Sequence, residues 1–323
     1  MQLSEIIDKI KGVSVLCIGD IMLDCYSYGA VSRTAPESDA PILHVERDEK
    51  MLGGAGNVLS NLASLGARVC AAGIVGEDAA AQSVLDILKS QHIDTECVLQ
   101  DGDRPTITKT RYVNQEGSHL VRVDYEDKTA INAELEDRLY NSIAALIADQ
   151  DVVVMSDYNK GLLTDQLLAR LIKLAQAHDM PVIIDPKGND YSKYKGATML
   201  TPNKKELVEV SGTQLDGHDA IANAARTMIE NTELDALLVT LSEEGGMLFE
   251  KGSDDFVSFP AQAKCVKQVS GAGDSVVATL AVALGGGASK TQASKLAILA
   301  GSIAVEQADT SLITAQMLKE RAV

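Results

Sequence analysis

Tryptophan is absent from this chain of 323 residues, phenylalanine occurs three times, and aromatics make up 3% of it. So thin a supply of ring faces argues against stacking platforms for single-stranded nucleic acid. Basic side chains are the next shortage: 29 Lys and Arg stand against 46 Asp and Glu, a formal net charge of −17. Affinity for nucleic-acid backbones or anionic membrane surfaces comes from local cation density, so neither is an expected partner. If a small anion is bound, its cations must be gathered in one place against the field of the whole chain. The five cysteines (Cys17, Cys25, Cys70, Cys97 and Cys265) are odd in number and show no CxxC spacing. They predict neither a disulfide framework nor a zinc knuckle, and read as small buried hydrophobes. No apolar run approaches the roughly eighteen residues that a membrane-spanning helix needs. The opening MQLSEIIDKIKG predicts an amphipathic helix without the apolar centre of a signal peptide. A reducing cytoplasm is the expected setting.

What the sequence does contain is a regular alternation. Apolar runs at 13–18, 68–72, 151–155, 181–184, 198–200 and 236–240 predict strands. Amphipathic segments at 54–65, 79–90, 133–148, 164–177, 204–210 and 220–230 predict helices, and 290–305 is again helical. Val58, Leu62 and Leu65 share one helix face, and Gly66 supplies a stop. Strands interleaved with helices predict an α/β fold whose sheet is mostly parallel and covered on both faces. Two stretches break the rhythm. Residues 26–47 lack helical periodicity and hold two prolines. Residues 106–125 read as a hairpin, TITKTRYV and HLVRVDY around the turn NQEG. Period two puts Lys109 and Arg111 on a face with Ile107 and Val113, and Arg122 and Asp124 on a face with Leu120. Such charges either solvate an edge hairpin or form a cation cluster.

Three small-residue or acidic motifs point to chemistry. Ser270, Gly271, Ala272, Gly273 and Asp274 precede the apolar segment SVVATLAVAL. Small residues let backbone N–H groups approach a ligand, and a helix N-terminus adds partial positive charge, so an anion hole is expected. An Asp at its mouth either caps its own helix or takes a proton from an attacking hydroxyl. Gly53, Gly54, Ala55, Gly56 and Asn57 open a second helix without the GxGxxG or Walker spacing. Asn57 there can offer an amide to a polyol. Asp20 and Asp24 follow the first strand, where ligands of open α/β sheets bind; sugar hydroxyls or a metal are the alternatives. No GxGxxG follows that strand, which disfavours a dinucleotide-dependent oxidoreductase.

The motifs GGAGN near residue 53, NKKE at 203–206, VTLSEEGG at 239–246 and SGAGDS at 270–275 stand in the order of the ribokinase-like (PfkB) carbohydrate kinases. The chain resembles that family over essentially its whole length. Within the family, the segments VSRTAPESDAPILHVER, LGGAGNVLSNLASLGA, TKTRYVNQEGSHLVRVDYE, SDYNKGLL and DPKGNDYSKYKGATMLTPNKKE are similar to the D-glycero-β-D-manno-heptose 7-phosphate kinases of lipopolysaccharide-precursor synthesis. The resemblance implies one ribokinase-like three-layer domain over 1–323, with a small β lid from segments near 26–47 and 105–126. Asp274 would be the base, with Gly271, Ala272 and Gly273 as the anion hole. Asn203 and Glu206 would organise magnesium through water. Lys187, Thr240, Ser242 and Gly245, with Asn203, Gly271 and Gly273, would meet ATP.

For the sugar the resemblance implies Asp20, Asp24, Gly53, Gly54 and Asn57. A substrate already phosphorylated needs its own cations, and Lys109, Arg111 and Arg122 beside Asp124 supply them, with Arg33 and Lys160 as further candidates. The implied reaction is transfer from ATP to the anomeric hydroxyl of heptose 7-phosphate, giving the 1,7-bisphosphate. Ribose, fructose and fructose 6-phosphate are the alternative acceptors. Such lids often pair between subunits, so a homodimer is expected. One departure stands out: many members carry Asp-x-Thr before GAGD, and here Gln268, Val269 and Ser270 stand instead. Related kinases are sometimes fused to a nucleotidyltransferase, but no HxGH-like motif occurs here.

Overall fold

The computed structural model describes residues 3–307 and 312–322. Among them the strands are β1 (Ser14–Gly19), β2 (Ile21–Thr34), β3 (Pro41–Gly54), β4 (Arg68–Gly76), β5 (Asp94–Asp101), β6 (Thr108–Asn114) and β7 (His119–Tyr125). There follow β8 (Val152–Ser156), β9 (Val182–Asp185), β10 (Met199–Leu200), β11 (Ala236–Thr240), β12 (Gly246–Glu250) and β13 (Phe256–Phe259). The architecture can be read from β1, whose residues are all buried. Val15 and Cys17 point into one core, with helices Ala55–Ser64, Ala272–Gly285 and Lys290–Ala304. Leu16 and Ile18 point into the other, with helices Ala133–Leu146, Asp165–Ala177 and Gly217–Thr232. Alternate side chains of one strand thus feed two helical layers, and three layers result.

The main sheet has nine strands in the order β13-β12-β11-β10-β9-β8-β1-β4-β5. Pairings from β11 across to β5 are parallel, and only the β12 and β13 edge is antiparallel. β1 lies between β8 and β4, so the chain leaves it in both directions, and the carboxyl ends of β1, β8 and β9 meet at such a crevice. The very apolar segment after residue 274 forms helix Ala272–Gly285, buried from Asp274 to Ala283.

A second sheet of four strands, β3-β2-β6-β7, stands off this body. The expected hairpin is present, with Lys109 opposite Asp124 and Arg111 opposite Arg122. Residues 26–47, where periodicity predicts no element but the resemblance implies part of a β lid, supply much of two paired strands of fourteen residues each. Register shifts after Tyr28 and after Val31 break period two, and Pro41 only opens its strand, where proline is tolerated. β5, β12 and β13 were likewise not predicted. Gly54 ends a strand, so the helix predicted from it starts at Ala55. The N-terminal helix is Leu3–Lys9, and residues 1–2 lie outside the described residues. No helix among the described residues is long and apolar enough to cross a membrane. Cys17, Cys70 and Cys97 are buried as expected, whereas Cys25 is half-buried and Cys265 exposed.

Candidate active site

Helix Ala272–Gly285 begins behind Gly271, whose φ of 81° lies in the left-handed region that favours glycine. Asp274 sits in its first turn, 8% exposed, and does not cap it. Instead the carboxylate is held from two other elements. Asn57 Nδ2, from helix Ala55–Ser64, donates to Oδ2 at 2.6 Å. Tyr158 Oη, from the loop after β8, donates to Oδ1 at 2.9 Å. Burial pushes the Asp274 carboxyl up to about 6, against the two donors, with Asp24 adding to the rise. A carboxylate so placed can accept a proton near neutral pH. Of the three residues expected in the anion hole, Gly271 and Gly273 border a pocket of about 180 Å³. The N–H of Ala272 bonds instead to the Val269 carbonyl at 3.3 Å. A Cβ added to Gly273 would meet nothing within 4 Å, so the backbone there faces open space.

Asp157, Tyr158, Asp185, Pro186, Lys187, Glu206 and Asp274 complete the pocket wall. Lys187 Nζ donates to Glu206 Oε1 at 2.8 Å. Asn203 and Glu206 form a capping box, each side chain accepting from the other's backbone N–H. The first task of this motif is therefore to start helix Lys204–Ser211. Thr240 ends β11 and bridges to Asn203, and the turn beyond it is shaped by Ser242 and Gly245 at φ of 53° and 95°. A Cβ on Gly245 would come 2.0 Å from the Phe259 carbonyl oxygen, which excludes other residues. A larger groove of about 620 Å³, between helices Lys204–Ser211 and Gly217–Thr232, contains none of the predicted site residues.

On the lid side, Arg111 Nη1 donates to Asp24 Oδ1 at 2.7 Å, and its guanidinium lies 5.0 Å from the Tyr26 ring centroid. Gly53 makes room for this pair: a Cβ there would come 2.4 Å from Asp24 Oδ2. Gly54 has φ of 56°, and a Cβ on it would meet the Asp20 carbonyl oxygen at 2.6 Å. Three ammonium groups surround Glu126: Lys160 at 2.6 Å, Lys128 at 2.9 Å and Lys109 at 3.3 Å. Burial alone would raise the Glu126 carboxyl, but the three lysines outweigh it and draw it down to about 2. Arg122 pairs with Asp124 at 2.9 Å, and Lys109 reaches the same carboxylate at 3.3 Å.

Two predicted sugar ligands are placed differently. Asp20 is 3% exposed, and its Oδ2 accepts from the backbone N–H groups of Tyr158 at 3.0 Å and Lys160 at 3.2 Å. Burial raises its carboxyl to about 6. Arg33 is exposed beside Ile42 near the end of β2. It lies nine residues beyond Asp24, roughly 30 Å along the strand at about 3.3 Å per residue, so within one chain it is not brought to the other cations. Sequence reasoning missed Tyr158, Asp157, Asp185 and Glu126. Asp157 holds Lys193 Nζ at 2.7 Å and the Tyr194 hydroxyl at 2.6 Å. Asp185 accepts from Thr201 Oγ1 at 3.1 Å, and burial, then Asp274 and Glu206, push its carboxyl up to about 8. For Asp157, Tyr158 and Asp185 the one sequence signal is position, immediately after or at the end of apolar strands; Glu126 follows the polar strand HLVRVDY and has no such signal.

A buried carboxylate at a glycine-led helix start, beneath a cation-bearing β lid and at the crevice of a parallel sheet, defines a phosphotransferase for a small hydroxylated substrate. The profile of the pfkB family carbohydrate kinases matches residues 13–316, and the chain belongs to that family. The Bifunctional protein HldE of Nitrobacter winogradskyi is 40% identical over 310 residues, which cover 96% of this chain and 63% of that protein. The Bifunctional protein HldE of Paramagnetospirillum magneticum is also 40% identical, over 312 residues and the same shares. The chain thus spans 63% of the length of these relatives. Among solved structures, Arabidopsis thaliana ribokinase complexed with ribose and ATP superposes with a TM-score of 0.76 at 18% identity, covering 96% of this chain and 99% of that one. Escherichia coli phosphofructokinase-2 in complex with potassium gives 0.77 at 19% identity, covering 97% and 98%. At such identities these two establish the ribokinase-like fold.

Proposed function

We propose that the chain transfers the γ-phosphoryl group of ATP to the anomeric hydroxyl of D-glycero-D-manno-heptose 7-phosphate, forming the 1,7-bisphosphate used for lipopolysaccharide precursors. The observation that carries this reading is the cation cluster. Lys109, Lys160 and Arg111 are gathered at the base of the lid, beside Asp24 and the loop that bears Tyr158. An acidic chain has little reason to concentrate cations there unless the acceptor already carries phosphate. The likeness to the HldE proteins points the same way.

In the proposed reaction Asp274 accepts the proton of the anomeric hydroxyl while that oxygen bonds to phosphorus and the bond to the ADP oxygen breaks. Gly271 and Gly273, with the helix N-terminus, face the charge that develops on the transferred group. Asn57 orients the base. Lys187 meets nucleotide phosphate, and the turn carrying Thr240, Ser242 and Gly245 contributes to nucleotide binding. Magnesium, if bound, would neutralise charge on the phosphates. Glu206 and Asp185 both line the pocket, and their hard carboxylate oxygens suit a cation that keeps much of its water. Asn203 Oδ1 accepts from the Glu206 N–H, and the Glu206 oxygens accept from Lys187 Nζ and the Asn203 N–H, so the two residues would hold the ion through water. The lid serves to exclude water over the sugar, and pairs with a second copy in a cytoplasmic homodimer.

The test is a panel of acceptors with ATP: heptose 7-phosphate, ribose, fructose and fructose 6-phosphate. Heptose 7-phosphate is expected to give the highest kcat/KM. Preference for an unphosphorylated sugar would overturn the acceptor assignment while leaving the kinase class intact.

A further inference from the structure

The loop that follows β8 ties three parts of the site together within four residues. Its backbone N–H groups at Tyr158 and Lys160 both donate to Asp20 Oδ2. Its Tyr158 hydroxyl donates to the Asp274 carboxylate at 2.9 Å. Its Lys160 ammonium reaches Glu126, within the lid cation cluster, at 2.6 Å. The path of the loop is fixed by unusual backbone. Asn159 has φ of 55° and its N–H donates to Asp157 Oδ1 at 2.7 Å. Gly161 has φ of 91°, and a Cβ there would come 2.1 Å from the Thr129 carbonyl oxygen. A loop so constrained cannot shift at Lys160 without moving Tyr158.

We propose that Tyr158 is a positioning residue for Asp274, and that Asp20 is the clamp that sets it rather than a ligand of the sugar. The inference rests on the reading of Asp274 as the base. The chemistry is that of a charge-assisted hydrogen bond: a phenol O–H stabilises the ionised carboxylate and fixes one of its oxygens, leaving the remaining lone pairs for the substrate hydroxyl. The phenol itself stays protonated, because burial and the nearby Asp274, Asp185 and Asp24 hold its pKa well above that of free tyrosine. The groups facing Asp274 are Asn57 from helix Ala55–Ser64, Asp24 from β2, Cys17 from β1 and Asp185 from β9. Asp185 titrates near 8 and burial pushes the Cys17 thiol up, so neither changes charge around pH 6. Asp20 titrates near 6 as well, and its replacement separates the two.

The experiment compares wild type with Tyr158→Phe, Asp20→Asn and Lys160→Met in the pH dependence of kcat/KM for the accepted sugar. In parallel, the Asp274 carboxyl is titrated by 13C NMR, assigned with Asp274→Asn. Loss of one charge-assisted hydrogen bond amounts to about one pKa unit. Tyr158→Phe should therefore lower activity roughly fivefold at pH 6 and little at pH 8, and the NMR titration should move upward with it. Asp20→Asn should reproduce that shift, whereas Lys160→Met should raise the sugar KM without moving the acid limb. An unmoved Asp274 titration in Tyr158→Phe overturns the positioning role. If Asp20→Asn changes KM alone, the clamp is wrong and Asp20 binds sugar. The NMR titration needs no acceptor, so a panel without turnover would defeat the functional reading and still leave this inference tested. A shifted titration with an unshifted rate profile would uphold Tyr158 as the partner of Asp274 and remove Asp274 as the base.

Discussion

Two donors on one buried carboxylate give Asp274 its character. Burial raises it and the donors restrain it, leaving the group near 6. A base must be unprotonated, so kcat/KM should climb about tenfold between pH 5 and pH 7 before levelling. Asp274→Asn should cut turnover by about 10²–10⁴-fold with ATP affinity, read by equilibrium binding, nearly unchanged; substantial residual turnover would refute the assignment. Asp185 makes a separate statement about stability. Its carboxyl is raised from 3.8 to about 8 by folding, so the folded state holds a proton that the unfolded state releases. Its contribution is complete below 3.8 and fades as pH rises through about 8. Asp185→Asn should consequently raise the melting temperature by about 2 °C or more at pH 9 and by little at pH 5. The same difference at both pH values in calorimetry would show that charge is not the cause.

At the scale of elements, the lid carries the specificity argument. Arg111 is locked by Asp24 and the Tyr26 ring, whereas Arg122 is exposed and paired with Asp124. Arg122→Glu is thus the cleaner probe, and Arg111→Glu also leaves Asp24 unpaired. Each reversal should raise KM for the sugar phosphate about tenfold and leave KM for ATP within about twofold. Equal effects on the two substrates would sink the phosphate assignment. The elements that sequence patterning identifies are those governed by local rules. β1, β4, β8, β9, β10 and β11 are apolar because helices cover them on both sides. β2 and β3 escape because their shifts in register scramble the alternation, and β5, DTECVLQD, because its polar residues leave no apolar run. The glycine-led start of helix Ala272–Gly285 is likewise a local signature. The partners of Asp274 are not: Asn57 lies 217 residues away and Tyr158 116, and only the fold says which carboxylate each will meet. The Asn203 and Glu206 pair illustrates the reverse case, a motif whose local capping role is visible in the same residues that the family resemblance assigns to magnesium.

At the scale of the molecule, charge and exposed apolar surface act in opposite directions. With a net charge of −17, two copies repel at long range, so association must rest on a patch where burial outweighs repulsion. Val31, Val45, Leu120, Val121 and Tyr125, five of the large apolar residues left exposed, all lie on the four-stranded lid. β3 and β7 are the edge strands of that sheet within the described chain, and a second copy could add to it there. The expected state is a dimer joined through the lids. Salt gives the diagnostic. Screening weakens the repulsion between acidic bodies, so dimerisation should tighten as ionic strength rises. The same screening weakens attraction between the lid cations and a phosphorylated sugar, so its KM should increase over the same range. Sedimentation equilibrium at low and high salt, alongside KM, reads both slopes. Val121→Lys combined with Leu120→Lys should shift the protein toward monomer with its far-ultraviolet circular dichroism unchanged. A chain that stays monomeric at every salt concentration and still turns over its sugar would show that the lid closes the site alone.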